Sequence, residues 1–181
     1  MIDYFKNFLN QKELEDLFKI INNLSWKDTG VDIAQSIEAN KYSSHLAVTL
    51  INSPKGLKPK EKILNIILKK IQDYYKEEYL PHNLYFSYYK FGDEIRMHTD
   101  RNTGKKNKTF IFYCTKTWDL NWHGNTVFYT NDALQIIGGS IPYPNTAVCF
   151  DSNILHSATP ISKFCSEKRI LLVYQLEKNN L

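Results

Sequence analysis

Apolar residues in the first part of the chain recur at helical spacing. Between Asn10 and Leu24, the positions Leu14, Leu17, Phe18 and Ile21 share one helical face, and Asn10 with Glu13 has the spacing of a capping box. A second helix is predicted from Pro59, a favoured first-turn residue, to about Tyr79; its stripe is Ile63, Leu64, Ile67, Ile71, Tyr74 and Tyr75. His45 to Ile51 reads as a strand between them. After Pro81 the pattern changes to short β-rich runs: Leu84–Lys90, Glu94–His98, Lys108–Thr115, Thr126–Thr130, Ala147–Asp151 and Arg169–Leu176. Gly92, Asn102-Thr103-Gly104, Gly138-Gly139, Pro142, Pro144 and Pro160 punctuate them. Two helices followed by six or more strands predict a mostly β sandwich or barrel with helices packed on one sheet.

The 181 residues suffice for one domain with a full core and are few for two. No linker, repeat or low-complexity segment interrupts them. The expectation is a single domain over 1–181, with a helical support region at 1–80 and a β-rich core at 81–178. Aromatic residues reach 14 %, including twelve Tyr, enough to line a pocket with apolar walls and hydrogen-bonding tips. The net charge of +4 comes from Lys, and the basic residues form no long aromatic-interleaved patch, which argues against nucleic acid as a partner. No segment approaches the roughly 20 apolar residues that span a bilayer, and the first ten residues lack the regions of a signal peptide. Cys114, Cys149 and Cys165 are odd in number and form no CxxC, as free thiols in a reducing cytoplasm would. A cytoplasmic protein without membrane association is expected.

The candidate chemistry starts at His98-Thr99-Asp100 and resumes at His156. Two imidazoles and a carboxylate on one face of an octahedron suit Fe(II) and leave positions open for a 2-oxo acid and dioxygen. Residues i and i+2 of a strand point the same way, so His98 and Asp100 reach one metal from one edge. His156 arrives from elsewhere, soon after the strand Ala147–Asp151. An HxD pair is common by chance; its weight here comes from the order strand, HxD, further strands, His, then an Arg opening the last strand. The chain uses Lys almost everywhere, and Arg stands only at 96, 101 and 169. A guanidinium grips a carboxylate through two parallel hydrogen bonds, so Arg169 suits the far end of a diacid. Arg96 and Arg101 flank the HxD and are candidates for substrate contact. The polar run from Arg101 to Lys108 reads either as a mobile cover favouring an acidic or phosphate-bearing substrate, or as a solvated hairpin loop.

Three stretches together resemble the prolyl-4-hydroxylase-like 2-oxoglutarate/Fe(II) dioxygenases: YKFGDEIRMHTD from Tyr89 to Asp100, FIFYCTKTW from Phe110 to Trp118 with Gly124 beyond it, and PNTAVCFDSNILHSATPI from Pro144 to Ile161 followed by Arg169. They lie in the family's order between Leu84 and Leu176, about half the chain. The resemblance implies a double-stranded β-helix, or jelly-roll, with N-terminal helices bracing the larger sheet. It implies iron on His98, Asp100 and His156, and the C5-carboxylate of 2-oxoglutarate on Arg169 with the Tyr113 hydroxyl against it. Tyr89 falls near metal and cosubstrate, and Trp122 near the pocket rim. Tyr113 and Tyr89 also suit core positions. Ascorbate as reductant belongs to the same expectation.

The chain departs from the family in having Gly124-Asn125 where a Gly-Gly pair is common, and in a longer stretch between His156 and Arg169. Asp100 argues against a halogenase, which needs a small residue there. The activity implied is hydroxylation of an unactivated C–H bond with decarboxylation of 2-oxoglutarate to succinate and CO2, on a peptidyl proline. The same chemistry on a free amino acid, a sugar, another small metabolite or an alkylated base is an alternative. A cupin-like metal-binding protein without oxygenase activity is an alternative of another class, and it has no need of Arg169.

Overall fold

The computed structural model describes residues 1–28, 46–53, 56–100 and 107–179. Helix α1 (Gln11–Asn22) starts at the expected capping box: the Asn10 side chain accepts from the Glu13 N–H at 2.9 Å, and the Asn10 N–H donates to Glu13 Oε2 at 2.8 Å. Helix α2 (Lys62–Tyr75) carries the whole expected stripe but is shorter at both ends than the predicted span from Pro59 to about Tyr79. Pro59 lies outside it, because Asn65 Nδ2 donates to the carbonyls of Pro59 and Glu61 and ties off the start. Lys76 turns left-handed (φ 55°) and ends the helix, which frees Tyr79 to open a strand.

Two antiparallel sheets form the body. One has seven strands in the order β1 (Ile2–Lys6), β9 (Thr146–Asp151), β6 (Lys108–Tyr113), β11 (Arg169–Lys178), β4 (Tyr79–Tyr89), β3 (Leu46–Asn52) and β2 (Lys27–Asp28). The other has four: β5 (Ile95–His98), β10 (Leu155–Ala158), β7 (Thr126–Tyr129) and β8 (Ile136–Ser140). From β4 onward the chain passes back and forth between the sheets, as the expected jelly-roll requires. The first 80 residues supply strands as well as helices, since β1, β2 and β3 join the larger sheet. No helix among the described residues is long and apolar enough to cross a membrane.

Several strands differ from their sequence patterns for identifiable reasons. Strand β4 begins at Tyr79 instead of Leu84. Its pairing with β11 slips between Gln175 and Leu176, so the missing N–H of Pro81 falls at a bulge. Strand β8 contains Gly138-Gly139, which reads as a turn; a Cβ on Gly138 would lie 2.8 Å from the Tyr4 hydroxyl, so glycine lets the edges of the two sheets meet. Strands β1, β2 and β10 are too short or too polar to signal themselves. The expected strand start at His45 lies outside the described residues.

In β4, β6 and β11 both faces are buried, and they bury different things. Leu84 and Phe86, Phe110 and Phe112, and Leu172, Tyr174 and Leu176 share a core with Leu17 and Ile21 of α1 and Leu64, Ile67 and Ile71 of α2. The alternate residues Tyr89, Ile111, Tyr113, Leu171 and Val173 face the smaller sheet, with Phe128 and Phe150. Tyr174 also donates from its buried hydroxyl to the Leu64 carbonyl at 2.9 Å, joining the sheet to α2. Tyr174→Phe is expected to lower stability by about 1 kcal/mol in denaturant unfolding, while leaving the ligand-binding properties of the opposite face unchanged.

Candidate metal centre

His98 and His156 lie directly opposite each other on the paired strands β5 and β10, with ring centroids 4.3 Å apart. His156 therefore sits on a short strand of its own, which the sequence pattern does not signal. Asp100 lies just past the end of β5 and turns inward. The side chains of His98, Asp100 and His156 are only 8 %, 7 % and 7 % exposed, and one donor atom from each lies within 4.8 Å of the others. Among the described residues these are the three that could hold a metal ion.

The hydrogen bonds fix which nitrogen faces the cluster. His98 Nδ1 lies 2.7 Å from the Arg96 carbonyl and His156 Nδ1 lies 2.9 Å from the Ile154 carbonyl. A carbonyl only accepts, so each Nδ1 carries the proton and each Nε2 presents its lone pair. Both Nε2 atoms stand 3.8 Å from a different oxygen of Asp100, too far for hydrogen bonds and close enough to share an ion. Asp100 Oδ2 accepts from Thr109 Oγ1 at 2.6 Å, and Oδ1 accepts from Gln175 Nε2 at 2.8 Å.

A slot leads from this cluster between the sheets to Arg169, past Ser87, Tyr89, Ile111 and Leu171. Arg169 is 1 % exposed and opposes Tyr89 on the ladder. Its Nη2 donates to Thr126 Oγ1 at 3.2 Å, and its Nε has no partner among the described residues. The guanidinium lies 5.4 Å from the Tyr89 ring centre and 5.9 Å from that of Tyr113. No described carboxylate is within ion-pair reach of it. Burial pulls its pKa below the usual value, yet an arginine stays charged across ordinary pH. A buried cation without an anion is costly, so the slot is chemically suited to receive a carboxylate. The fully buried Ser87 hydroxyl, also unpartnered, adds a polar group to its wall.

The structure brings together six of the nine residues singled out from sequence: His98, Asp100, His156, Arg169, Tyr89 and Tyr113. The Tyr113 hydroxyl is bonded to Thr126 Oγ1 at 2.9 Å, so Tyr113 and Arg169 meet through Thr126. Arg96 is exposed, contributes its carbonyl to His98, and does not line the slot. Trp122 packs edge-on against Trp118 at 5.4 Å and does not line it either. Arg101 and most of the 101–108 run lie outside the described residues. Its last two residues are no cover: Asn107 and Lys108 are buried, and Lys108 Nζ is held by Asp151 at 2.9 Å. Sequence reasoning missed Thr109, Thr126, Gln175 and Ser87. Each is a polar residue with an apolar neighbour on its strand, and counting by two from Arg169 through Leu171 and Val173 reaches Gln175.

A family model of the 2OG-Fe(II) oxygenase superfamily (2OG, 2-oxoglutarate) matches residues 84–175, just over half of the chain. The chain belongs to that superfamily. Members are oxidoreductases that use Fe(II), 2-oxoglutarate and dioxygen. Solved structures agree at the level of fold. The chain is similar to a prolyl-4-hydroxylase from Pseudomonas putida, with TM-score 0.66, 13 % identity, and 99 % of this chain and 93 % of that one covered. It is similar to a 2OG-Fe(II) oxygenase family oxidoreductase from Burkholderia pseudomallei, with TM-score 0.73, 13 % identity and coverage of 99 % and 85 %. A prolyl hydroxylase from Trichoplax adhaerens, solved with a peptide fragment of the hypoxia inducible factor oxygen degradation domain, gives TM-score 0.65, 12 % identity and coverage of 97 % and 83 %. No curated protein matches the sequence.

Asn125, where a second glycine is common in the family, bonds to Thr159 through both its N–H and its carbonyl, next to the β7–β10 ladder. Gly124 itself is required. Its φ is +68°, and an added Cβ would lie 3.2 Å from Arg169 Cδ, Ile161 Cγ1 and Trp118 Cζ2. Gly124→Ala is expected to cost about 1–2 kcal/mol in denaturant unfolding through the left-handed backbone alone, and to weaken 2-oxoglutarate binding as Arg169 is displaced. An unchanged unfolding midpoint would contradict this.

Proposed function

We propose that the chain is a 2-oxoglutarate-dependent Fe(II) dioxygenase that hydroxylates an unactivated C–H bond, with His98, Asp100 and His156 as metal ligands and Arg169 as the anchor of the cosubstrate. One observation carries this reading: a buried guanidinium with no described carboxylate partner closes a slot that opens on a two-histidine, one-carboxylate cluster. The donor set fits Fe(II), since its imidazole lone pairs and its carboxylate converge from one side. When bound, Fe(II) and 2-oxoglutarate would let dioxygen act as the oxidant, one oxygen atom going to the substrate C–H bond and the other to succinate, with CO2 released.

The chain's own residues do the rest. The Arg96 and Ile154 carbonyls hold the two imidazoles with Nε2 inward. Arg169 offers N–H donors to the far carboxylate, and Thr126 and Tyr113 keep that guanidinium in place. Ile95, Ile111, Leu171 and Val173 give the slot apolar walls that exclude stray water. As substrate we favour a peptidyl proline; this draws support from the fold shared with prolyl hydroxylases, one of them solved with a peptide. Ascorbate is the reductant we expect to restore the ferrous state.

The test is anaerobic addition of Fe(II) and 2-oxoglutarate, followed by the visible metal-to-ligand absorption band and, after oxygen is admitted, by succinate. The wild-type chain should show both. Arg169→Ala should weaken 2-oxoglutarate binding roughly 10–100-fold, the loss of charge-assisted hydrogen bonds, with metal affinity retained. Iron binding without the band, or Arg169→Ala binding 2-oxoglutarate as tightly as wild type, would refute the dioxygenase reading in favour of a cupin-like metal binder.

A further inference from the structure

The two histidines of the centre are oriented by the sheet, whereas Asp100 is not. His98 is the last residue of β5 and His156 lies within β10, each with its ring tied to the carbonyl two residues before it. Asp100 lies beyond the ladder, and its carboxylate could rotate about Cβ–Cγ. Both of its oxygens are instead held from the opposite sheet, by Thr109 on β6 and Gln175 on β11. Thr109 and Gln175 face each other in register, and Asn83 on β4 is next in the same row. Asn83, Thr109 and Asp100 are buried.

The row has a direction. Asn83 Nδ2 donates to Gln175 Oε1 at 3.1 Å, which turns Gln175 Nε2 toward Asp100 Oδ1. Thr109 has one hydroxyl proton, and Asp100 Oδ2 can only accept it. The 3.0 Å contact between Thr109 Oγ1 and Ser152 Oγ must therefore be a donation from the buried Ser152. Two relays, Asn83 to Gln175 and Ser152 to Thr109, thus end on the two oxygens of one carboxylate. Each oxygen keeps a lone pair for an ion shared with the imidazole Nε2 that lies 3.8 Å away.

We infer that Thr109 and Gln175 are positioning residues of the metal centre: they act through Asp100, and Asn83 sets the sense of the Gln175 amide. The inference rests on the assignment of His98, Asp100 and His156 as metal ligands. Residues that orient a ligand in this way are typically worth 10–100-fold in metal affinity.

The test uses Co(II) alone as probe, with affinity measured by titration, geometry followed by the visible Co(II) spectrum, and folding checked by thermal melting. Gln175→Leu and Thr109→Val should each bind Co(II) 10–100-fold more weakly and alter its spectrum, and Thr109→Ser, which keeps the hydroxyl, should bind close to wild type. Asn83→Asp separates orientation from charge. An added negative charge alone would tighten the cation. An Asp that only accepts would draw the Gln175 nitrogen away from Asp100 and loosen it, measured well above the carboxylate titration range. Folded Gln175→Leu and Thr109→Val proteins with wild-type affinity and spectrum would overturn the inference, as would tighter binding in Asn83→Asp. Failure of the wild-type chain to bind Co(II), or binding that survives His98→Ala, would instead overturn the metal-centre assignment beneath it.

Discussion

Side chains on a strand alternate between its faces, and in β4, β6 and β11 neither face is free to be polar at random. One face is committed to α1 and α2 through an apolar layer that includes Phe86, Phe112, Leu172 and Tyr174. The other closes on the smaller sheet and carries polar groups from all three strands: Asn83 and Ser87 on β4, Thr109 and Tyr113 on β6, Arg169 and Gln175 on β11. A slip of one residue in any of these ladders would send the site into the helix core and the core into the site. The register is thus the constraint on which both stability and chemistry rest.

Within that frame the two ends of the slot obey different rules. At one end, charges and lone pairs converge on a small volume, and every ligand-bearing side chain is held by a neutral hydrogen-bonding partner, a backbone carbonyl for each imidazole and a hydroxyl and an amide for the carboxylate. At the other end, a full positive charge is buried among Tyr89, Tyr113 and Thr126 with no described acid to offset it. An isolated buried charge is costly for stability alone, and in the proposed function a diacid offsets that cost with its own carboxylate. Gly124 shows how closely this end is fitted, since even a methyl group there would meet the Arg169 side chain.

Much of this was legible in the sequence, and the reasons differ by residue. Asn10 and Glu13 announced α1 because a capping box is a local device that needs no tertiary context. The HxD pair and the lone Arg169 were legible because metal ligation and diacid binding demand particular residue types in an order the fold dictates, and the family match bears out the resemblance they carried. The strand that carries His156 was not legible, because a four-residue strand gives no periodic signal. Arg96 was chosen by nearness to the HxD pair and Trp122 by the family resemblance, and neither says where a side chain points. Thr109, Thr126 and Gln175 escaped notice because their role exists only across strands. Gln175 is 75 positions from Asp100, and only the ladder makes them neighbours.

The most direct test is a crystal structure of the chain grown with Mn(II) and 2-oxoglutarate without oxygen, with the metal located by its anomalous signal. The account expects one ion bound by His98 Nε2, Asp100 and His156 Nε2, and a 2-oxoglutarate molecule running from that ion to a carboxylate paired with Arg169. An ion bound elsewhere, or a cosubstrate whose far carboxylate leaves Arg169 unpaired, would contradict it.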